Sequence, residues 1–164
     1  MNNYLTKTGF LMLMIALLAS CGTKKNADET EASNEEVPEE KLGSDADISE
    51  GQNVFFRNLK DGDTIASPFK VEMGVNGMEI EPAGELAKNK GHHHILINHP
   101  ANEKGVVVAT DSTHIHFGKG ETETDLDLTP GDYMITLQFA DGFHRSYGEK
   151  MSKSIHVTVV EKEK

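Results

Sequence analysis

Tyr133-Met134-Ile135-Thr136-Leu137-Gln138-Phe139-Ala140 is the stretch that decides the fold. Large apolar side chains at Tyr133, Ile135, Leu137 and Phe139 alternate with Met134, Thr136, Gln138 and Ala140, the period of two that lays one face of a strand on a core. The same period occurs upstream in Phe69-Lys70-Val71-Glu72-Met73-Gly74-Val75 and downstream at Ile155, Val157 and Val159, which alternate with His156 and Thr158. No segment of the chain shows a convincing helical stripe. Further strands are expected at 54–59, 93–98, 106–109, 113–117 and 122–128. Asp61-Gly62-Asp63, Asn76-Gly77, Pro82-Ala83-Gly84, Gly118-Lys119-Gly120, Pro130-Gly131 and Asp141-Gly142 supply the turns between them. Seven to eight short strands at this spacing predict an all-β domain, an antiparallel sandwich.

Leu128-Thr129-Pro130-Gly131-Asp132-Tyr133, leading into the deciding strand, resembles the tyrosine corner of immunoglobulin-like domains, in which a tyrosine hydroxyl bonds back to upstream backbone. The chain has no tryptophan and a single cysteine, Cys21, so the disulfide of antibody domains is excluded and the sandwich must hold by packing alone.

The domain expected over 53–164 is preceded by two segments of different character. Residues 1–20 carry the apolar run Gly9-Phe10-Leu11-Met12-Leu13-Met14-Ile15-Ala16-Leu17-Leu18 after a short polar start, the layout of a secretory signal peptide. The run ends in Leu18-Ala19-Ser20-Cys21, which resembles the lipobox of bacterial lipoproteins, so Cys21 is expected to be acylated and to hold the chain to the membrane. Residues 21–52 contain ten acids from Gly22 onward, three lysines and no aromatic residue; a disordered acidic tether is expected there. The predicted location is the cell envelope, most simply the outer membrane, facing the periplasm or the surface. The chain carries a formal net charge of −11, and −12 once Lys7 leaves with the leader. A balance this acidic excludes an electrostatic nucleic-acid binder.

Five of the eight histidines fall in two dense runs, Gly91-His92-His93-His94-Ile95-Leu96-Ile97 and Thr113-His114-Ile115-His116-Phe117. If Ile95, Ile97, Ile115 and Phe117 face the core, alternation sends His92, His94, His114 and His116 to the opposite face. On paired strands these four would stand about 5 Å apart across the ladder and about 7 Å along it, close enough to converge on one ion. The Asp141-Gly142-Phe143-His144-Arg145 loop offers His144 as a further ligand. Imidazoles without thiolate suit Cu²⁺ or Zn²⁺ better than oxygen-seeking Ca²⁺ or Mg²⁺. The competing reading makes these histidines structural, with His93 turned inward onto a hydrogen bond and His99 and His156 isolated.

His114-x-His116 with Glu121 matches part of the cupin metal motif, but the glycine spacing and the second cupin motif are missing. No nucleophile elbow flanks Ser146 or Ser152, and no phosphate loop occurs, so no catalytic residue is assigned and the domain is expected to be non-enzymatic.

The globular part resembles the bacterial domain-of-unknown-function family 4399. The resemblance is carried by Val54-Phe55-Phe56, Leu59-Lys60-Asp61-Gly62-Asp63, Ser67-Pro68-Phe69, Met78, Pro82-Ala83-Gly84, the Gly91 to Ile97 run, His116-Phe117-Gly118-Lys119-Gly120-Glu121-Thr122-Glu123 and Leu128-Thr129-Pro130-Gly131. It implies a single secreted domain with important histidine segments and implies no activity. Asn98-His99-Pro100-Ala101-Asn102 departs from the family's more acidic continuation. The leading expectation is therefore an envelope lipoprotein that binds Cu²⁺ or Zn²⁺. The alternative is an interaction module for another envelope protein or a glycan, and a metal-dependent hydrolase ranks third.

Overall fold

The computed structural model describes residues 40–163. The expected signal peptide, Cys21 and most of the expected acidic tether lie outside the described residues. Nine strands form within them: β1 (Asn53–Phe56), β2 (Asp63–Ser67), β3 (Phe69–Asn76), β4 (Glu79–Ile80), β5 (Lys90–Ile97), β6 (His114–His116), β7 (Glu123–Leu126), β8 (Gly131–Ala140) and β9 (Ser152–Glu161). Two one-turn helices, Gly43–Asp45 and Glu149–Met151, complete the elements, and no α-helix occurs among the described residues.

Two sheets make an all-β sandwich. The smaller has the order β1-β3-β7; the larger runs β2-β9-β8-β5-β4, with β6 sharing the outer edge of β5. Most ladders are antiparallel, as expected, whereas the β2–β9 and β4–β5 pairings are parallel. Between the sheets lie Val71 and Met73 from β3, Ile95 from β5, Ile135, Leu137 and Phe139 from β8, and Ile155, Val157 and Val159 from β9. These are the positions that alternation assigns to the core. Tyr133 closes the corner at the start of β8, donating its hydroxyl to the Thr129 carbonyl at 2.9 Å.

Three sequence expectations need correction. Residues 106–109 are not a strand: Val107 makes only an isolated bridge to Arg145. Strand β2 was not anticipated, because Asp63-Thr64-Ile65-Ala66-Ser67 offers one large apolar residue and is carried by the edge of β9. The disordered tether does not extend to residue 52, since Ser44 is buried and Ile48 packs against the core.

The larger sheet also buries part of its second face, over β5 and the C-terminal half of β8. Segment 98–111 folds back across it. The Asn102 amide donates to Gln138 Oε1 at 3.0 Å, Ser146 Oγ donates to the Asn102 carbonyl, and the Val108 amide donates to the His144 carbonyl at 2.8 Å. Leu96, Val108 and Ala140 form a small apolar cluster under this roof. His92 and His94 of β5 share this face and are fully buried.

Candidate metal centre

His92 and His94 stand two residues apart on β5 and share its roofed face. Both are fully buried. Their Nε2 atoms approach to 3.1 Å. Antiparallel pairing sets His116 of β6 opposite His94, and its ring lies 5.0 Å from both the His92 and the His94 ring. The ligand-capable nitrogens of His92, His94 and His116 all fall within 4.8 Å of one another. His144 reaches in from its loop, with its Nε2 3.1 Å from His116 Nε2.

The two 3.1 Å separations match what an ion requires. A tetrahedral Zn²⁺ bound at about 2.0 Å places its nitrogen ligands about 3.3 Å apart. A tetragonal Cu²⁺ accepts a similar spacing between neighbouring ligands. Burial, reinforced by the neighbouring rings, pushes His92 down to about 4 and His94 to about 2. His116 is also lowered, by burial and by His144. Near neutral pH the rings are uncharged and their lone pairs are open to a cation. The buried Nδ1 atoms of His92 and His94 have no hydrogen-bond partner, so packing rather than a second hydrogen bond orients these rings.

Two glycines permit the arrangement. A Cβ at Gly118 would run into the His116 ring, and one at Gly91 would run into the Ala140 carbonyl and the Phe139 ring. The glycines of the Gly91-His92-His93-His94 and His116-Phe117-Gly118 segments are thus spaces required by close packing.

His144 owes its position to Asp141. That carboxylate is fully buried; Oδ1 accepts the Phe143 amide at 2.9 Å and the Arg145 amide at 3.0 Å, and Oδ2 accepts the Ser44 amide at 2.9 Å and Arg145 Nε at 3.0 Å. Burial alone would raise its carboxyl, but the amides and the Arg145 charge hold it below the usual carboxylate range. The folded loop places His144 at φ +64°, a conformation stabilised by the His144 amide donating to the Asp141 carbonyl. Sequence reading missed Asp141; the Asp-Gly pair signals a turn and says nothing about the distant amide it captures.

The structure separates His114 from this group. In the β5–β6 register Leu96, not His94, lies opposite His114, so the expected rectangle of four does not form on these strands. His114 instead packs on His99, with ring centroids 4.5 Å apart. His93 turns inward as alternation requires, but it packs on Phe139 and neither ring nitrogen has the expected hydrogen bond. Glu121 bonds the Lys119 amide at 2.9 Å and stands outside the imidazole group. His156 is exposed beside Asp61.

Fold and site define an all-β sandwich with a buried, thiolate-free imidazole cluster. The chain belongs to the family described as "Domain of unknown function (DUF4399)", whose profile matches residues 71–160. No curated protein matches it. Among solved structures, the X-ray structure of the endo-beta-1,4-mannanase from Thermotoga petrophila is similar at 20% identity with a TM-score of 0.42. That alignment covers 71% of this chain and 21% of the mannanase chain.

Proposed function

We propose that this protein is an envelope lipoprotein, held to a bacterial membrane through acylated Cys21, whose sandwich domain binds Cu²⁺ or Zn²⁺ through His92, His94 and His116 with His144 as the fourth imidazole. The support is the grouping of the His92, His94 and His116 nitrogens within 4.8 Å of one another, with the His92–His94 and His116–His144 Nε2 pairs each at 3.1 Å. Imidazole donors favour an ion that prefers nitrogen, and the full burial of His92 and His94 favours retention over turnover. The test is metal analysis and calorimetric titration of the full-length chain with Cu²⁺ and Zn²⁺, beside His116→Ala. Stoichiometric binding that is lost in the variant is expected; absence of binding in the parent chain sinks the proposal. A free-ion concentration a thousandfold above Kd stabilises the folded state by about 4 kcal/mol, so a rise in Tm is a second readout. For the anchor, Cys21→Ser is expected to move the protein from the membrane fraction to the soluble fraction.

A second reading, an interaction module for another envelope protein or a glycan, draws on the exposed side chains of Val106, Val107 and Phe143 beside the roof and the His144 loop. Capture of a partner that survives both chelation and His116→Ala, and is lost in Val107→Asp, would favour it.

A further inference from the structure

His114, set apart from the buried cluster, belongs to a second constellation on the same face of the sheet. Asp111 Oδ1 accepts the Thr113 amide at 2.7 Å, the Thr113 hydroxyl at 2.7 Å, the His114 amide at 3.0 Å and His114 Nδ1 at 3.0 Å. The carboxylate can only accept, so His114 carries its proton on Nδ1 and its Nε2 keeps a lone pair. The Thr113 hydroxyl has one proton and gives it to Asp111. Its oxygen is left as an acceptor, 3.1 Å from His114 Nδ1 and 3.4 Å from His99 Nε2. His99 therefore keeps its lone pair on Nδ1.

The two rings lie 4.5 Å apart at 35°, one lone pair on each, and neither lone-pair nitrogen enters a hydrogen bond among the described residues. His114 sits on β6, its side chain only 13% exposed, and the backbone of His99 is fixed where its carbonyl accepts the Thr136 hydroxyl at 2.8 Å. A carboxylate that fixes the tautomer of an imidazole, leaving the other nitrogen free, is the orienting partner found behind metal-ligating histidines. Asp111 stands in that relation to His114.

We propose that His99 and His114 form a second, surface metal site for Cu²⁺ or Zn²⁺, oriented through Asp111 and Thr113, one step along the sheet from the buried cluster. Two imidazoles with water completing the shell bind more weakly than a cluster of four and exchange their ion more readily. His114 and His116 share one face of β6, about 7 Å apart, so the surface pair lies on the approach to the buried ligands. Its role is to receive the ion from solution.

The site stands on residues separate from those of the buried centre. The test is titration of the full-length chain and of His99→Ala with Cu²⁺, followed by calorimetry and by the nitrogen couplings in the copper electron paramagnetic resonance spectrum. His99 is exposed, so its removal leaves the fold in place. His114→Phe, which retains ring volume, is the second variant. The expected result is two binding phases in the parent chain, the weaker by tenfold or more, with the weaker phase lost in both variants and the tighter one retained. A weak phase alone, abolished by His99→Ala, would support this site and overturn the buried one. A tight phase alone, unaltered by His99→Ala, would overturn this site and leave the buried centre standing. No binding at all would overturn both.

Discussion

Asp141 accepts the backbone amide of Ser44 at 2.9 Å, joining the loop that carries His144 to a segment 97 positions earlier in the chain. The same carboxylate holds the Phe143 and Arg145 amides and the Arg145 guanidinium, while Arg145 Nη1 also reaches Asp45 at 3.4 Å. Removing it strands several buried donors at once. Asp141→Ala is expected to destabilise the metal-free protein by about 3–5 kcal/mol, the cost of breaking a buried pair. Denaturant unfolding measures that loss, and hydrogen exchange at Ser44 and His144 should rise together. A rise at His144 alone would show that Ser44 is held by other contacts.

Gly118 gives a narrower probe of the centre. Its missing side chain leaves the space occupied by the His116 ring. Gly118→Ala is expected to displace that ring at a cost of about 1–3 kcal/mol in stability, in the range of other overpacked sites. Metal affinity should fall by at least tenfold because ligand geometry tolerates little displacement. Titration beside an unfolding curve separates the two effects. A variant that loses stability while keeping affinity would place His116 outside the ligand set.

How far the sequence reveals this depends on the range of the interaction. Strands β3, β8 and β9 are legible because their alternation is a local property, and the Tyr133 bond to Thr129 spans only four residues. The shared face of His92, His94 and His116 follows from the same parity. The partition of His114 from His116 does not, since it depends on register, and a two-residue shift of pairing exchanges Leu96 for His94 opposite His114. The roof over β5 and β8 is equally hidden. Gln138 and Asn102 meet through a single hydrogen bond across 36 positions, and no periodicity records such a contact. The segment 43–52 reads as tether because it is acidic, yet Ser44 and Ile48 suffice to fasten it.

Acidification should weaken the metal-free protein through the same histidines. Burial lowers His92 to about 4, His93 to about 3 and His94 to about 2, against an ordinary value of 6.5. Between those limits the unfolded chain binds protons that the folded chain refuses, so stability rises with pH across this window and falls as pH drops below about 6.5. His92 alone contributes on the order of 3 kcal/mol between pH 7 and pH 4. Chemical unfolding at a series of pH values, with chelator present, measures the slope. The slope should be reduced in His92→Phe; an unchanged slope would assign the loss to other groups.

His93 tests the division between the two faces of β5. Its ring is fully buried against Phe139, with centroids 5.1 Å apart, and both nitrogens lack partners. It faces the apolar core between the sheets, whereas His92 and His94 face the roof. A buried polar group without hydrogen bonds costs free energy that an apolar residue of similar volume does not. His93→Leu is therefore expected to raise the stability of the metal-free protein by about 1 kcal/mol and to leave Cu²⁺ or Zn²⁺ affinity within twofold of the parent. Unfolding curves and titrations on the same preparation supply both readings. A stable variant that no longer binds metal would mean that His93 contributes to the centre through the strand, and the assignment by alternation would fail at this position.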